Sequence, residues 1–546
     1  MKQINIESRG MFESWRKNIQ QNQSLIRDNL GPVFVIMVSG TELDQQYWQH
    51  HFGRVQVDVF RRDARTFLVS VCEPIRKGNF LGTLNAWAHA KAIVKQTGLV
   101  LPNVSLMSMV FGQGKRLSPF TQSLGNRKAA LPTPLKGSVS GEYLRTADLS
   151  NLYTNSWIQH LESCGFRGAV VKWGDEAVVP GVSWDSRHCD YRYVDALRFV
   201  WRTSPTADLA REKDWVLIDS ANQMRYQYAR QPIESLRRRL MSYDQMAYSV
   251  GVNLGSLAIS YQFLDLALKI FQEDIDNPNR WVDWDPYVRM ALSCQTEVNW
   301  QSEVEHEMSV GKCRLRELLA RYPNFYPKIA QLRAGLRSLT DRPFTVTVMD
   351  FGMPLWTDFG LHTALRASLL EIVNDSEKGA VLRELFAVPH DRDSRGNIIV
   401  NSTIPASADI RYSVICDTVI SDEKSVIHNG VLIGGRFRRV YMPHGGAAIF
   451  SAAGELEFMG PNAISLRSVA SRIQLPEGGR HTTLFLSEGF EQMVSNESVV
   501  DYEGDNYSLP ILSNRWSFAA AAQAMSKMDG EELEQRWFRA WREWPK

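Results

Sequence analysis

A short stretch after an apolar segment combines the residue types that bind phosphate. It runs Phe111-Gly112-Gln113-Gly114-Lys115-Arg116 and follows residues 104–110, which have the composition of a buried strand. The glycines leave room for backbone N–H groups to approach anionic oxygens, and Lys115 and Arg116 supply positive charge. Arg116 is the stronger candidate for the reacting phosphates because its planar guanidinium can bond two oxygens at once. The stretch predicts a phosphate-binding loop at the carboxyl end of a strand.

A longer pattern around this stretch resembles the signature of the sugar-phosphate nucleotidyltransferases, the nucleotide-sugar pyrophosphorylases. That family carries G-x-G-x-R-L-x-P-x-T, then a lysine ahead of an apolar residue and a proline; the matching positions are Gly112, Gly114, Arg116, Leu117, Pro119, Thr121, Lys128, Leu131 and Pro132. Phe111 departs from the pattern, since many members have a further glycine there. The resemblance implies that Arg116 and Lys128 act on the phosphates of a nucleoside triphosphate. The nucleotide-binding residues that it implies are Gly112, Gln113, Gly114, Lys115 and Arg116.

Two aspartates follow in the order that this family has. Asp175 comes after an apolar strand at residues 167–173, and Asp358 lies in a segment that resembles the family's W-x-D-x-G element. The resemblance implies that both bind Mg²⁺ and that Asp175 is catalytic. Mg²⁺ needs only one or two carboxylates besides phosphate oxygens and water, so two separated aspartates suffice. Taken alone, either aspartate is more simply explained as a turn or helix-capping residue.

The resemblance also implies a sugar-phosphate site. Asn253 and Gly255 lie in a predicted strand, residues 248–259, that is similar to the family's N-x-G strand. Arg230 is the nearest counterpart of the lysine in the family's Glu-Lys-Pro element, and an arginine there can bind phosphate bidentately. The implied reaction is attack of a sugar-1-phosphate oxygen on the α-phosphorus of the nucleotide, with pyrophosphate leaving. Such a reaction depends mainly on positioning and charge neutralisation.

Two alternatives from other functional classes stay open. A metal-dependent glycosyltransferase would use the pair Asp283 and Asp285 as a D-x-D site. A nucleotide-sugar sensor or scaffold would keep the fold without the chemistry, which agrees with Phe111 and with the missing Glu-Lys-Pro. The segment at residues 79–87 resembles the front of the fucose-1-phosphate guanylyltransferase branch, which favours GTP as the nucleotide, although the base and the sugar are not fixed by these residues.

The chain is predicted to be an α/β protein with several parts. Residues 101–388 are expected to form a Rossmann-like mixed-sheet catalytic domain, and residues 1–100 an N-terminal extension packed on it. Residues 396–490 are rich in β-branched residues, with Ile404 and Ile410 six apart, which predicts a left-handed β-helix, with an ordinary antiparallel sheet as the alternative. An exposed edge of that domain would favour a homo-oligomer. Residues 491–546 are expected to be a helical tail.

Composition limits the partners and the compartment. The 62 basic and 60 acidic residues give a net charge of +2, so no general attraction for nucleic acid is expected and any phosphate affinity must be local. No segment approaches the length of an apolar membrane span, and the N-terminus lacks the core of a signal peptide. The six cysteines have no C-x-x-C spacing, which favours free thiols over structural zinc. We therefore expect a cytoplasmic protein without a membrane partner.

Overall fold

The computed structural model describes residues 2–61, 67–72, 79–243, 247–280, 292, 302, 305–306, 308–311, 324–496 and 505–544. The helices of these residues are α1 Lys2–Arg27, α2 Glu42–Val59, α3 Asn79–Thr97, α4 Phe120–Ser123, α5 Thr146–Leu152, α6 Asn155–Ser163, α7 Ala207–Glu212, α8 Ile233–Leu240, α9 Tyr261–Ile275, α10 Phe325–Thr340, α11 His362–Glu371, α12 Glu377–Leu385, α13 Asp505–Ser508, α14 Phe518–Met525 and α15 Gly530–Glu543.

The strands of the first three quarters of the chain are β1 Phe34–Ser39, β2 Phe67–Cys72, β3 Val104–Met109, β4 Pro132–Lys136, β5 Tyr143–Arg145, β6 Gly168–Trp173, β7 Glu176–Val179, β8 Ala196–Arg202, β9 Trp215–Asp219, β10 Met224–Tyr228, β11 Tyr248–Ser260, β12 Val346–Asp350 and β13 Leu355–Asp358. Those that follow are β14 Ile398–Val400, β15 Asp409–Arg411, β16 Val414–Cys416, β17 Val419–Ile420, β18 Val426–His428, β19 Gly430–Ile433, β20 Arg436–Met442, β21 Gly446–Ile449, β22 Ala452–Phe458, β23 Ala463–Leu466, β24 Val469–Leu475, β25 Gly479–Phe485 and β26 Phe490–Asn496.

A mixed sheet of nine strands organises the first part of the chain. Strands β2, β1, β3 and β6 are parallel neighbours in that order, and β11 joins β6 antiparallel. Beyond β11, β8 and β12 extend the sheet on one side, while β9 pairs along the first half of β11 and β10 pairs with β9. The N-terminal residues that were predicted to form an extension thus contribute β1 and β2 to the same sheet as β3, the strand that precedes the phosphate loop.

Helices cover both faces of this sheet because its central strands are apolar on both sides. In β1, Val35 and Met37 pack in one core with α2, while Phe34, Ile36 and Val38 pack in a second core with α3. Side chains of successive strand residues point to opposite faces, which explains the division. The result is a three-layer arrangement, and its ligand-binding positions are expected where parallel strands end at the carboxyl edge.

Residues 398–485 form two sheets of parallel strands between which the chain alternates. One contains β14, β16, β19, β21, β23 and β25, and the other contains β15, β18, β20, β22 and β24. Paired residues are 15 to 17 apart, as for Gly430 with Gly446 and Gly446 with Ala463, so the repeat is not the multiple of six that the isoleucine spacing indicated. The antiparallel alternative is wrong for these strands. Within residues 398–496, all of which the structure describes, β26 is the one strand that pairs antiparallel, with β25.

The corners of this region recur with the same interval. Asp417, Gly434, Phe450 and Arg467, here called the corner column, all have positive φ, between 48° and 61°. Helix α15 packs along the column: Glu534 binds Arg467, Trp537 packs edge-on against Phe450, and the Trp541 indole N–H donates to the Gly434 carbonyl at 2.9 Å. One helical turn of about 5.4 Å is close to the strand spacing of about 4.8 Å, so successive helix residues meet successive corners.

The chain is therefore mixed α/β, with a mixed sheet, a region rich in parallel strands and further helices. Residues 490–496 are strand β26, so the helical part of the tail begins later than the predicted residue 491, at Asp505 among the described residues. That strand pairs edge to edge with β25, an interaction that local helix propensity cannot indicate. In the described part of the chain, no helix combines the length and apolar character that crossing a membrane requires.

Candidate functional site

The predicted phosphate loop leaves β3 and closes around a lysine. Gly112 and Gly114 have φ of 111° and 61°, backbone conformations that favour glycine. A Cβ at Gly112 would lie 2.8 Å from Cε of Lys128, and one at Gly114 would lie 2.7 Å from Cβ of the same lysine. The glycines are therefore needed for contact with Lys128, in addition to any role in admitting a ligand. The Thr121 hydroxyl donates to the Gly114 carbonyl at 3.1 Å and holds the turn.

Lys128 forms an ion pair with the predicted metal ligand Asp175. Its Nζ lies 2.7 Å from Oδ2 of Asp175, and both side chains are largely buried. Burial raises the pKa of Asp175, but the charge and hydrogen bond of Lys128, a backbone hydrogen bond and the charge of Lys172 together lower it by more, so the net pKa lies below the ordinary value for an aspartate. Asp175 is consequently an ionised carboxylate at neutral pH and presents oxygen atoms to any cation that approaches the loop.

Asp358 lies on the other side of a single glycine from Asp175. A Cβ at Gly360 would be 2.9 Å from Oδ1 of Asp358 and 3.1 Å from Oδ2 of Asp175, so these oxygens are no more than about 6 Å apart. The Gly360 N–H donates to Oδ1 of Asp358 at 2.9 Å, and the Phe359 N–H donates to the Asp175 carbonyl at 3.1 Å. The W-x-D-x-G segment is thereby fixed to the end of β6, and the two aspartates converge.

A third carboxylate and a second lysine lie behind the two aspartates. Glu176 is the register partner of Asp358 between β7 and β13 and accepts a hydrogen bond from the Trp356 indole at 2.8 Å. Burial raises the pKa of Glu176, Lys172 opposes that rise, and Asp175 and Asp358 add to it. The Lys172 ammonium is fully buried, 3.6 Å from Oε1 of Glu176, and burial lowers its pKa against the opposing effect of Glu176 and Asp175. Lys172 thus balances part of the acidic charge.

The predicted sugar-site residues border the same carboxylates. Gly255 has φ of 78°, and a Cβ there would be 3.1 Å from the Trp173 ring and 3.6 Å from Oε1 of Glu176. The Gly255 N–H donates to Oδ1 of Asn253 at 3.2 Å, in an irregular part of β11 where its register with β8 shifts. The irregularity places backbone beside Glu176, where a regular strand would place a side chain.

Arg230 is linked to this group through Asp214. The Arg230 N–H donates to Oδ1 of Asp214 at 3.0 Å, and the Asn253 N–H donates to the Asp214 carbonyl at 2.8 Å. The neighbouring Lys213 ammonium lies 3.6 Å from the centre of the Trp356 ring. The Arg230 side chain itself is exposed, so the structure brings its backbone, rather than a fixed guanidinium, to the site.

The structure brings nearly all predicted residues into one connected region. Gly112, Gly114, Lys128, Asp175, Asp358, Asn253 and Gly255 form the continuous chain of contacts described above. Gln113, Lys115 and Arg116 project from it as exposed residues, and the Lys115 ammonium lies 5.0 Å from the centre of the Tyr507 ring of α13. The alternative pair Asp283 and Asp285 lies outside the described residues.

Sequence reasoning missed the charged residues Lys172 and Glu176, which lie behind the two aspartates. Lys172 is a single charged residue in an otherwise apolar strand, and Glu176 directly follows Asp175. An isolated lysine in a strand buried on both faces requires an acidic partner, so this position carried a signal. The contact between Lys213 and Trp356 had no such signal in the sequence, because it joins segments more than one hundred residues apart in the chain.

A separate cavity of about 560 Å³ lies where α15, the corner column and the β4–β5 hairpin meet. Its charged lining residues bind one another: Lys136 pairs with Asp417, and Arg467 pairs with Glu534. Because these charged residues are already paired with one another, the site near Asp175 is the better candidate for catalysis. Comparison of the chain with protein-family models and with curated proteins finds no match in either.

Proposed function

We propose that the protein joins a sugar-1-phosphate to a nucleoside triphosphate, giving a nucleotide sugar and pyrophosphate. The observation that supports this most is the meeting of four distant segments: the loop at Gly112 and Gly114, Lys128, Asp175 and Asp358. Loop and lysine supply phosphate contacts, and the two aspartates supply oxygen ligands. The finer fold assignments belong to the same proposal: a Rossmann-like nucleotidyltransferase domain, and a left-handed β-helix for residues 396–490.

The donor set fits Mg²⁺. Asp175 and Asp358 offer carboxylate oxygens from two rigid strand ends, and Asp175 is held ionised by Lys128. Hard oxygen ligands, few in number and open to phosphate and water, are what Mg²⁺ prefers. When bound, the ion would neutralise charge on the nucleotide phosphates.

The chain's own residues would then position the reactants. Lys128 is placed to transfer its contact from Asp175 to a phosphate oxygen, and exposed Arg116 can close on the same group as a bidentate donor. Asn253 and Gly255 would contact the sugar from the irregular part of β11. Arg230 would bind the sugar phosphate from the adjacent loop. GTP is our first choice of nucleotide.

The proposal is tested by pyrophosphate release from purified protein with Mg²⁺, four nucleoside triphosphates and a panel of sugar-1-phosphates. Release that requires one sugar phosphate and is lost in Asp175→Asn supports the proposal. Nucleotide binding without release across the whole panel would instead favour a sensor or scaffold. Transfer from a supplied nucleotide sugar, without dependence on pyrophosphate, would favour a glycosyltransferase.

A further inference from the structure

A cluster of soft ligands lies at the end of α6, apart from the residues assigned to the nucleotide. His160 lies on α6, Cys164 follows one helical turn later as the residue that caps the end of this helix, and Cys189 follows a short turn in the segment between β7 and β8. Ligand atoms of the three residues all lie within 4.8 Å of one another. Imidazole nitrogen and thiolate sulfur are ligands that Zn²⁺ prefers, whereas Mg²⁺ prefers oxygen.

We propose that His160, Cys164 and Cys189 form a binding site for a thiophilic divalent cation of the Zn²⁺ class. With bonds of about 2.3 Å to sulfur and about 2.0 Å to nitrogen, a tetrahedral zinc ion holds neighbouring ligand atoms about 3.5 to 3.8 Å apart. Nε2 of His160 already lies 3.6 Å from Sγ of Cys164. This one distance matches the separation that a shared ion would impose, and a tetrahedral ion held by three residues would have a fourth position for water.

The surroundings hold these ligands in place. The His160 ring stacks on Trp184, with ring centres 5.1 Å apart, and the Tyr191 N–H donates to the Cys164 carbonyl at 2.8 Å. Both contacts attach the β7–β8 segment to α6 on either side of Cys189. Ligands whose orientation is fixed by packing lose little freedom when an ion binds.

Burial sets the protonation of the two ligands at the end of α6. Burial lowers the pKa of His160, so its ring is neutral and has a lone pair to offer at neutral pH. Burial, with a contribution from nearby Cys189, raises the pKa of Cys164 to about 11. A cation that binds there would displace the proton of this thiol, because the thiolate is the metal ligand.

The site would fix the segment that leads away from the candidate catalytic strands. β7 begins at Glu176, directly after Asp175, and the segment that follows it carries Cys189. An ion shared with α6 would therefore connect this segment to the helical layer. Its contribution is to stability and order, independent of whether the nucleotidyltransferase proposal is right.

The test uses the full-length protein, treated with a chelator under reducing conditions and then titrated with Co²⁺. We expect one equivalent to bind, with the visible absorption of tetrahedral Co²⁺ and a thiolate charge-transfer band. Cys189→Ser should weaken this binding by about 100-fold or more, since loss of outer partners alone costs about 10- to 100-fold. The matched control is Cys416→Ser, which removes another partly buried thiol and should leave the titration unchanged.

Circular dichroism establishes that each variant is folded. If Cys189→Ser fails to fold, Cys189→His serves in its place, and it should keep the tetrahedral absorption while the charge-transfer band falls to about half. Absence of Co²⁺ binding by the reduced protein would overturn the proposal, as would equal binding by Cys189→Ser. A Cys164–Cys189 disulfide in protein purified without oxidant, found by mass spectrometry, would also overturn it.

Discussion

The candidate nucleotide site and the junction of α15 with the corner column both gather buried charges from distant segments, but they satisfy them differently. At the junction, Glu534 accepts from Arg467 at 2.7 and 2.8 Å and from Arg145 at 3.1 Å, so both of its oxygens have cationic donors. At the candidate site, Oε1 of Glu176 receives no hydrogen bond within the described residues. Both oxygens of Glu534 therefore have hydrogen-bond donors, whereas one oxygen of Glu176 has none among the described residues.

This difference supports the proposal that the charge cluster at the junction is structural and that the one at the candidate site is functional. Two arginines around one carboxylate favour a single rigid arrangement, and burial of Glu534 is outweighed by Arg467 and Arg145, which bring its pKa to about 2. Among the site residues, the three carboxyl groups of Asp175, Glu176 and Asp358 have two lysines beside them, Lys128 and Lys172, so the carboxyl groups outnumber the cations. A bound cation would add positive charge to this group, which supports the proposed Mg²⁺ site.

The largest effect on stability is expected from breaking the matched junction. Glu534→Gln leaves Arg145 and Arg467 without their carboxylate, which should lower the free energy of unfolding by about 3 to 5 kcal/mol, as for other buried pairs that lose one partner. Denaturant unfolding measures this. Glu532→Gln, which removes an exposed ion pair with Arg536 on the same helix, should cost less than about 1 kcal/mol. Equal losses would contradict the account of the junction.

The corresponding change at the candidate site should act on catalysis instead. Lys128→Met removes the cation that closes the loop on Asp175, and we expect a loss of about 100- to 1,000-fold in the rate of pyrophosphate release, typical of losing one preorganised donor. The control Lys424→Met removes an exposed lysine of the β-rich region, outside the candidate site, and its effect should be within a few-fold. An equal loss in Lys424→Met would contradict a specific role for Lys128.

Glycine substitutions separate backbone strain from packing on Lys128. Gly112→Ala and Gly489→Ala both place alanine at positive φ, 111° and 87°, and each should cost about 1 to 3 kcal/mol of stability. Only at Gly112 would the new Cβ meet another residue, Lys128; nothing lies within 4 Å at Gly489. Gly112→Ala alone should therefore raise the nucleotide concentration for half-maximal rate, by about tenfold. If the nucleotide concentration for half-maximal rate is the same in both variants, the loop tolerates displacement of Lys128.

A pH dependence is also expected at the junction. The pKa of Glu534 falls from 4.5 to about 2 on folding, which corresponds to about 3 kcal/mol of stabilisation at neutral pH. A lowered pKa gives stability that is complete above the unfolded value and is lost as pH falls through the folded value. The stability difference between wild type and Glu534→Gln should thus be constant from pH 7 to about 5 and shrink between about pH 4.5 and 2. A difference that grows on acidification would contradict this.

The sequence indicated the strands and the loop that meet near Asp175 better than it indicated the elements that pack around them. Strands β3, β6 and β11 and the loop at Gly112 follow from apolar runs and glycines that are local in the chain. Local patterns cannot show that β1 and β2 pair beside β3, that β26 is a strand, or that Cys189 returns to α6, since these depend on partners far away in the sequence. In the sequence, the cysteines lack C-x-x-C spacing, and this argued against structural zinc. The fold nevertheless brings Cys189 close to His160 and Cys164.

The most direct test of the central claim is pyrophosphate release by the wild-type protein beside Asp175→Asn, with Asp409→Asn as the control. Asp409 is an exposed aspartate paired with Arg411 in the β-rich region, whereas Asp175 is buried against Lys128. We predict release that depends on Mg²⁺ and on one sugar-1-phosphate, at least about 1,000-fold slower in Asp175→Asn and unchanged in Asp409→Asn. Undiminished release by a folded Asp175→Asn protein would contradict the account.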